Sequence, residues 1–349
     1  MASPLRLIAV FVVIVVVAVG GAAVVASTGG GETTPDGANI DGQSPAQFQP
    51  DAVNHDDDPE EGEIEVDETD GRKRILVDIS HSNQVSETEL EPLVEAAYGA
   101  GHFVEFGAED GRASYAETLS NYDGVLIVQP RGAFSESERN ALQNYTDAGG
   151  RVVVLGEPTQ IQAALGLFGV PSAASFGADN LTQAYGFQVG AEMLFNQGAE
   201  GNDNNFKSVN ASPETNDELT DGVETVSFDR GGYVVVNQQH EDADDIEVLY
   251  TAADGTKTLE TRREGDYAMA VRNENLAFVA DSSFIDQSEV YDADNEVFVG
   301  NLLTFLASGD LDENFPSDGG ATGPEPPEPP ERPTATPTPT NQSSPLGSG

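Results

Sequence analysis

Asp78, His81 and Asn83 fall directly after the apolar run that begins at Ile75, in the stretch Ile75-Leu-Val-Asp-Ile-Ser-His-Ser-Asn83. A carboxylate, an imidazole and a carboxamide that close together suit proton transfer, metal ligation or hydrogen bonding to a polar ligand. Further polar residues follow other apolar runs. Gln129 and Arg131 come after Gly124–Val128, Glu157 after Arg151–Leu155, and Asp281, Ser282 and Ser283 after Leu276–Ala280. A Ser-His-Asp set would take Ser282, His81, and Asp78 or Asp281. Two features argue against it: Asp78 and His81 are only three positions apart, and the chain has no Gly-X-Ser-X-Gly elbow to present the serine. A metal site would take Asp78, His81 and Glu157, and it needs those three to converge, which spacing does not establish. Each residue also has a plain structural role open to it. Asp and Ser bond their own backbone in turns, and His81 suits the capping of a loop. The reading from residue types is a binding rim of Asp78, His81, Asn83, Gln129, Arg131, Glu157, Asp281 and Ser282, with no catalytic residue, metal or cofactor assigned.

The elements that must position this rim are legible between Arg72 and Asp310. Strands are expected at Ile75–Ile79, His102–Phe106, Gly124–Val128 and Arg151–Leu155. Helices between them open on three capping boxes, Ser86-Glu-Thr-Glu89, Ser114-Tyr-Ala-Glu117 and Ser135-Glu-Ser-Glu138. The unbroken apolar run Gly124-Val-Leu-Ile-Val128 reads as a strand buried on both faces. Alternating strands and helices with long connections predict a parallel sheet covered on both faces. In such a sheet a ligand crevice lies beyond the carboxyl ends of the strands, which is where all of these polar residues fall. The second half is read as a helix over Leu181–Asn196, then three hairpins. These join Val223–Phe228 to Tyr233–Val236, Ile246–Thr251 to Lys257–Arg262, and Tyr267–Val271 to Leu276–Ala280. The strand at Leu276 is expected to rejoin the parallel sheet, followed by an amphipathic helix from about Asp294. The fold class is therefore α/β, a flavodoxin-like three-layer sandwich with extra β-hairpins in the second half.

Composition bounds the function. The 349-residue chain carries a net charge of -46 and has no cysteine. Nucleic acid and anionic membrane surfaces repel such a chain, and disulfides, thiolate metal sites and cysteine nucleophiles are excluded. Acidic residues throughout, with lysine almost absent, fit a halophile, and an archaeal source is expected. Arg6 followed by the apolar run Leu7–Ala26 reads as a transmembrane anchor or a signal over 1–28. The positive-inside rule then places the bulk of the chain outside the cell. Residues 29–71 read as an acidic disordered linker and 311–349 as a Pro/Thr-rich disordered tail. The domain between them is taken as 72–310.

Several stretches together carry a family resemblance: Leu76-Val-Asp-Ile-Ser-His-Ser-Asn83, Phe134-Ser-Glu-Ser-Glu138, Gly149-Gly150 before Val152-Val-Val-Leu155, and Val279-Ala-Asp-Ser-Ser-Phe284 followed by Asp294-Asn295 and Asn301-Leu-Leu303. They resemble the class I glutamine-amidotransferase-like fold, in the branch shared by gliding-motility auxiliary proteins and intraflagellar-transport-type domains. The chain looks most like archaeal members of domain-of-unknown-function family 4350. That resemblance implies a non-catalytic binder or auxiliary part of a membrane system. Amidotransferases need a cysteine nucleophile, and this chain has none. The expected function is a membrane-tethered extracytoplasmic binding domain whose partner is a protein of a membrane system or an envelope glycan. The alternative is a metal- or carboxylate-dependent hydrolase acting on envelope material.

Overall fold

The computed structural model of the chain describes residues 62–107, 113–162, 172–240 and 243–316. The expected anchor or signal, the linker up to residue 61 and the tail beyond 316 lie outside these residues. Among the described residues, no helix is long and apolar enough to cross a membrane.

The first half alternates strands and helices: β1 (Arg74–Asp78), α1 (Glu91–Gly99), β2 (Phe103–Gly107), α2 (Tyr115–Leu119), β3 (Gly124–Val128), α3 (Glu136–Asp147) and β4 (Arg151–Leu155). Then come β5 (Gln160–Gln162), β6 (Ser172–Ala174), α4 (Asp179–Ala184), β7 (Phe187–Val189), β8 (Leu194–Phe195) and β9 (Ser208–Pro213). The last elements are β10 (Val226–Asp229), β11 (Val234–Val236), β12 (Ile246–Ala252), β13 (Lys257–Thr258), β14 (Ala268–Asn273), β15 (Leu276–Val279) and α5 (Asn295–Ala307).

Five strands in the order β2-β1-β3-β4-β15 pair in parallel. Their side chains divide by parity, as the two-residue repeat of a strand requires. Ile75, Val77, Leu126, Val128, Val153 and Leu155 enter one core with Leu93 of α1 and Phe298, Leu302 and Leu303 of α5. Leu76, Val125, Ile127, Val152 and Val154 enter the other with Leu119, Leu142, Tyr145 and Leu181 of α2, α3 and α4. Helices on both faces thus bury the apolar positions of β1, β3, β4 and β15, while Phe103 on the edge strand β2 stays 42% exposed. Each fully buried Val, Leu or Ile contributes roughly 1.5–3 kcal/mol. With both faces apolar, polarity alone does not hold the register. The Asp123 carboxylate contributes by accepting the Arg74 amide at 2.9 Å, at the amino end of β1.

Three features of the first half are shifted from expectation. The bonds of the Ser86 box form, with the Ser86 amide 2.6 Å from a Glu89 carboxylate oxygen and the Glu89 amide 3.3 Å from the Ser86 hydroxyl. Regular helix nevertheless begins only at Glu91, where Pro92 sits in the first turn and needs no N–H partner. β1 starts one residue early and ends at Asp78, leaving Ile79 40% exposed. β2 is likewise displaced by one residue, to Phe103–Gly107.

The second half departs further. The expected helix over Leu181–Asn196 stops at Ala184, because Gly186 takes a left-handed φ of 85°, and the chain continues as β7. Of the three hairpins, only β14–β15 forms. β10 pairs with β9, a strand not anticipated, and β11 pairs with β7 and β14. β12 lies between β9 and β14, and the short β13 pairs with β8. The apolar runs were located correctly, but their partners are distant in sequence. β15 rejoins the parallel sheet beside β4, and α5 packs on that sheet as the amphipathic pattern requires.

Both flanks reach further than composition predicts. Ile64 and Val66, expected in the linker, pack against the core, and the Asp67 amide donates to Thr304 Oγ1 at 3.0 Å. A side chain at Gly300 would strike the Glu65 carbonyl, so this crossing is close. Leu311 and Phe315, expected in the tail, pack against the opposite core, and Phe315 meets the Tyr145 ring edge-on at 5.6 Å. Two apolar residues in each otherwise polar stretch suffice to dock it.

Candidate functional site

The rim residues separate into two groups. The first is a sealed cluster at the end of β1. Asp78 is 1% exposed and His81 6%. Asp78 Oδ2 lies 3.0 Å from His81 Nδ1 and accepts the Tyr115 hydroxyl at 2.9 Å. Asp78 Oδ1 accepts the Ser80 amide at 2.8 Å and the Ser80 hydroxyl at 2.5 Å. The imidazole stacks on Phe134 with ring centroids 3.5 Å apart, and its Nε2 points to Glu138 at 3.6 Å. Burial pushes the Asp78 carboxyl up, but its bonds from His81 and Ser80 outweigh this and hold it below its ordinary value. Burial pushes His81 down, and the Asp78 bond and charge, with Glu138 behind it, outweigh that and raise it. Burial, reinforced by Asp78, raises the Tyr115 hydroxyl well above its ordinary range, so it stays a donor. Every oxygen of Asp78 is therefore occupied by protein.

The loop beyond is held by backbone bonds. The Asn83 carboxamide accepts the His81 amide at 2.9 Å and donates to the Val128 carbonyl at 2.8 Å. The His81 carbonyl accepts the amides of Arg131 and Gly132 at 3.0 and 2.8 Å. Asn83 is thus a staple between the β1 and β3 loops. Arg131 contributes its backbone, and its Nε and Nη2 are buried without a hydrogen-bond partner, away from the crevice described next.

The second group lines that crevice, a cavity of about 170 Å³ beyond the ends of β3, β4 and β15. Gln129, Glu157, Ser282 and Ser283 face it, joined by Asp229, Arg230 and Asp286. The Ser282 hydroxyl donates to Glu157 Oε1 at 2.6 Å. Gln129 stands in the left-handed region at φ 43°, a strained setting for a residue with a side chain, and its Oε1 accepts the Glu157 amide at 2.8 Å. Asp229 and Arg230 reach the crevice because the loop after β10 docks on β15, through the Gly232 amide and the Ala280 carbonyl at 2.7 Å. Arg230 Nε donates to Asp229 Oδ2 at 2.6 Å. Asp281 lies behind the wall, wholly buried. Its Oδ1 accepts the Ser283 amide and hydroxyl, and its Oδ2 has no partner. Burial and the neighbouring charges of Glu157 and Asp229 raise its carboxyl well above its ordinary value. Burial and the charges of Glu89 and Glu157 push Asp286 up to about 6.

This geometry corrects both catalytic constellations. Ser282 bonds Glu157 and not His81, while His81 is committed to Asp78. Asp78, His81 and Glu157 do not converge. No three His, Asp or Glu side chains among the described residues are placed to hold a metal ion. Tyr115, Phe134 and Glu138 were visible in sequence only as helix openings, although the capping boxes marked Glu138 and the position before Tyr115. Asp229 and Arg230 fall in the turn of the hairpin expected between Val223–Phe228 and Tyr233–Val236, and no spacing in the sequence singles out Asp286.

The solved structure of the mmIFT52 N-terminal domain is similar to this chain with a TM-score of 0.52 at 13% identity, over 68% of this chain and 99% of that domain. A ThuA-like protein from Bacteroides uniformis matches with a TM-score of 0.36 at 15% identity, over 68% of this chain and 89% of that one. A glutamine amidotransferase from Thermotoga maritima matches with a TM-score of 0.37 at 11% identity, over 67% of this chain and 96% of that one. No protein-family model and no curated relative matches the chain. The strand order is that of a flavodoxin-like α/β fold, and at 13% identity the likeness to the mmIFT52 domain speaks to the fold alone.

Proposed function

We propose that the chain is a membrane-tethered, extracytoplasmic, non-catalytic binding domain in the cell envelope of a halophilic archaeon, akin to domain-of-unknown-function family 4350. Its partner is a protein of a membrane system or an envelope glycan. One observation carries the non-catalytic reading. The acid-base pair that the sequence offers, Asp78 and His81, is sealed beneath Phe134 and Tyr115 with its hydrogen bonds spent inside the protein. The tether rests on Arg6 and the apolar run Leu7–Ala26. The halophilic setting rests on the charge of -46, which keeps a protein hydrated in strong salt.

The test is affinity capture of the full-length chain from native membranes in strong salt. The expected result is co-recovery of a membrane or envelope component. Recovery of no component, together with a stoichiometric metal in the purified protein, overturns the reading. A carboxylate-dependent hydrolase is the second reading, and the observation for it is Asp286, pushed up to about 6 beside Glu157. It requires turnover of envelope polymer that Asp286→Asn abolishes.

A further inference from the structure

The crevice between β3, β4 and β15 has four carboxylates on its wall, Glu89, Glu157, Asp229 and Asp286, and one guanidinium, that of Arg230. Acidic residues on a halophile-like surface need no ligand, so the acids alone decide nothing. Gln129 does point to one. It is 5% exposed, and it lines the crevice. Its orientation is fixed, since the oxygen must accept the Glu157 amide at 2.8 Å. The Nε2 amide is then the atom left without a partner among the described residues. Water or a ligand oxygen in the crevice supplies the acceptor it lacks.

We infer that this crevice is a binding site for a small organic cation that carries a primary ammonium beside an oxygen acceptor, the chemistry of an aminoalcohol or an amino sugar. The ammonium meets Glu157 and Asp286, and the oxygen takes the Gln129 Nε2 proton and a guanidinium N–H of Arg230. Size supports this. At about 170 Å³ the cavity lies below the roughly 300 Å³ at which drug-sized ligands begin, so one ring or a short chain fills it. Charge supports it as well. Asp281, behind the wall, has its carboxyl raised first by burial and then by the charges of Glu157 and Asp229, and an ammonium in the crevice offsets those charges. A neutral polyol offers the hydroxyls without that gain, and a free carboxylate ligand meets repulsion from the wall.

This inference rests on the non-catalytic binding reading and is tested separately from it, with small probes and the full-length chain. Calorimetric titrations in one fixed salt use 2-aminoethanol, glucosamine, glycerol and glucose. The expected result is binding of the two ammonium probes at least about tenfold tighter than their neutral counterparts. Tighter glucosamine identifies a glycan source, and tighter 2-aminoethanol an aminoalcohol source; both support the site. Glu157→Gln keeps an acceptor for Ser282 and is expected to weaken the ammonium probes about tenfold or more. Gln129→Gly fits the left-handed backbone and removes the donor; it is expected to weaken both probes. Glu247→Gln, exposed on β12, controls for net charge and is expected to change nothing. Equal binding of charged and neutral probes, no binding of any, or an equal loss in Glu157→Gln and Glu247→Gln overturns the inference. A chain that captures envelope partners yet ignores ammonium probes defeats this inference alone. A chain that binds them, captures nothing and carries a stoichiometric metal defeats the envelope-partner reading alone.

Discussion

Asp78→Asn tests whether the cluster at the end of β1 is architecture or machinery. The native carboxylate accepts from four donors: Tyr115 and His81 on Oδ2, and the Ser80 amide and hydroxyl on Oδ1. Asparagine keeps the shape, but one of its two positions becomes an amine that cannot accept. At least one pair of donors then loses its acceptor and faces another donor. Hydrogen bonds to a charged group are worth about 1.5–3 kcal/mol each, and both partners are almost wholly buried, so solvent screening is small. The expected loss is about 3–5 kcal/mol, within the range for breaking a buried ion pair by removing one member. For a domain of this size that lowers Tm by on the order of 10 °C. The pH profile adds a second signature. His81 is raised on folding, so its contribution is complete below the ordinary histidine value of about 6.5 and is lost as pH rises through the higher folded value. Asp78 is lowered, so its contribution is present above the ordinary aspartate value of about 3.9 and is lost as pH falls through the lower folded value. Tm recorded against pH in constant salt therefore falls on the alkaline side in the wild type, and Asp78→Asn flattens that limb. A loss under about 1 kcal/mol with an unchanged profile, accompanied by loss of a partner or an activity, refutes the argument and returns the pair to a functional role.

Two further outcomes follow from backbone and charge. Gly186→Ala places a side chain on a backbone at φ 85°, with its Cβ 2.9 Å from the His240 ring and the Ile246 methyl; chemical denaturation should record a loss of about 1–3 kcal/mol. Burial, with the charges of Glu89 and Glu157, raises Asp286 to about 6, above the ordinary aspartate value of about 3.9, so its ionisation opposes folding increasingly from about pH 4 to about pH 6 and by a constant amount above that; Asp286→Asn should stabilise the fold at pH 7 by less than about 1 kcal/mol, because the group is half solvated, and the gain should vanish only below about pH 4. An unchanged Tm at neutral pH refutes that expectation.

The parallel half of the fold was legible because its rules are local. Capping boxes at Ser114 and Ser135 and unbroken apolar runs at β3 and β4 name their own elements, and the alternation of strand and helix then dictates the sheet. The antiparallel half was not, because hairpin reasoning assigns a strand the partner nearest in sequence. β10 runs back to β9, and β12 to both β9 and β14, pairings for which no turn signal speaks. β9 itself, Ser208–Pro213, alternates polar and apolar, but Val209 is its one β-branched residue, too little strand propensity to register. The same limit governed the site. Sheet logic found Gln129, Glu157 and Ser282, which follow parallel strands. It missed Asp229 and Arg230, which arrive on a loop carried by the antiparallel extension, and it grouped Asp78 and His81 with residues they do not meet.

The rim positions all lie at or just beyond the ends of parallel strands, yet they divide into two sets that face different ways. At β1 the polar groups face inward, and His81 and Asn83 clamp the β1 loop to the β3 loop through Gly132, Arg131 and Val128. A side chain at Gly132 would lie 3.2 Å from the His81 carbonyl, so the clamp leaves no space between the loops. At β3 and β4 the polar groups face outward, because the clamped β3 loop holds Gln129 in its strained conformation with the Glu157 amide bonded to its side chain. The same loop thus carries both the bonds to the sealed cluster and one wall of the crevice. Loosening Asp78 or His81 should therefore reach Gln129 through the backbone bond from Gln84 to its carbonyl at 3.1 Å, without any contact between the two groups of side chains. The buried Asp78–His81 pair and the acidic crevice are thus joined through the backbone of the β1 and β3 loops.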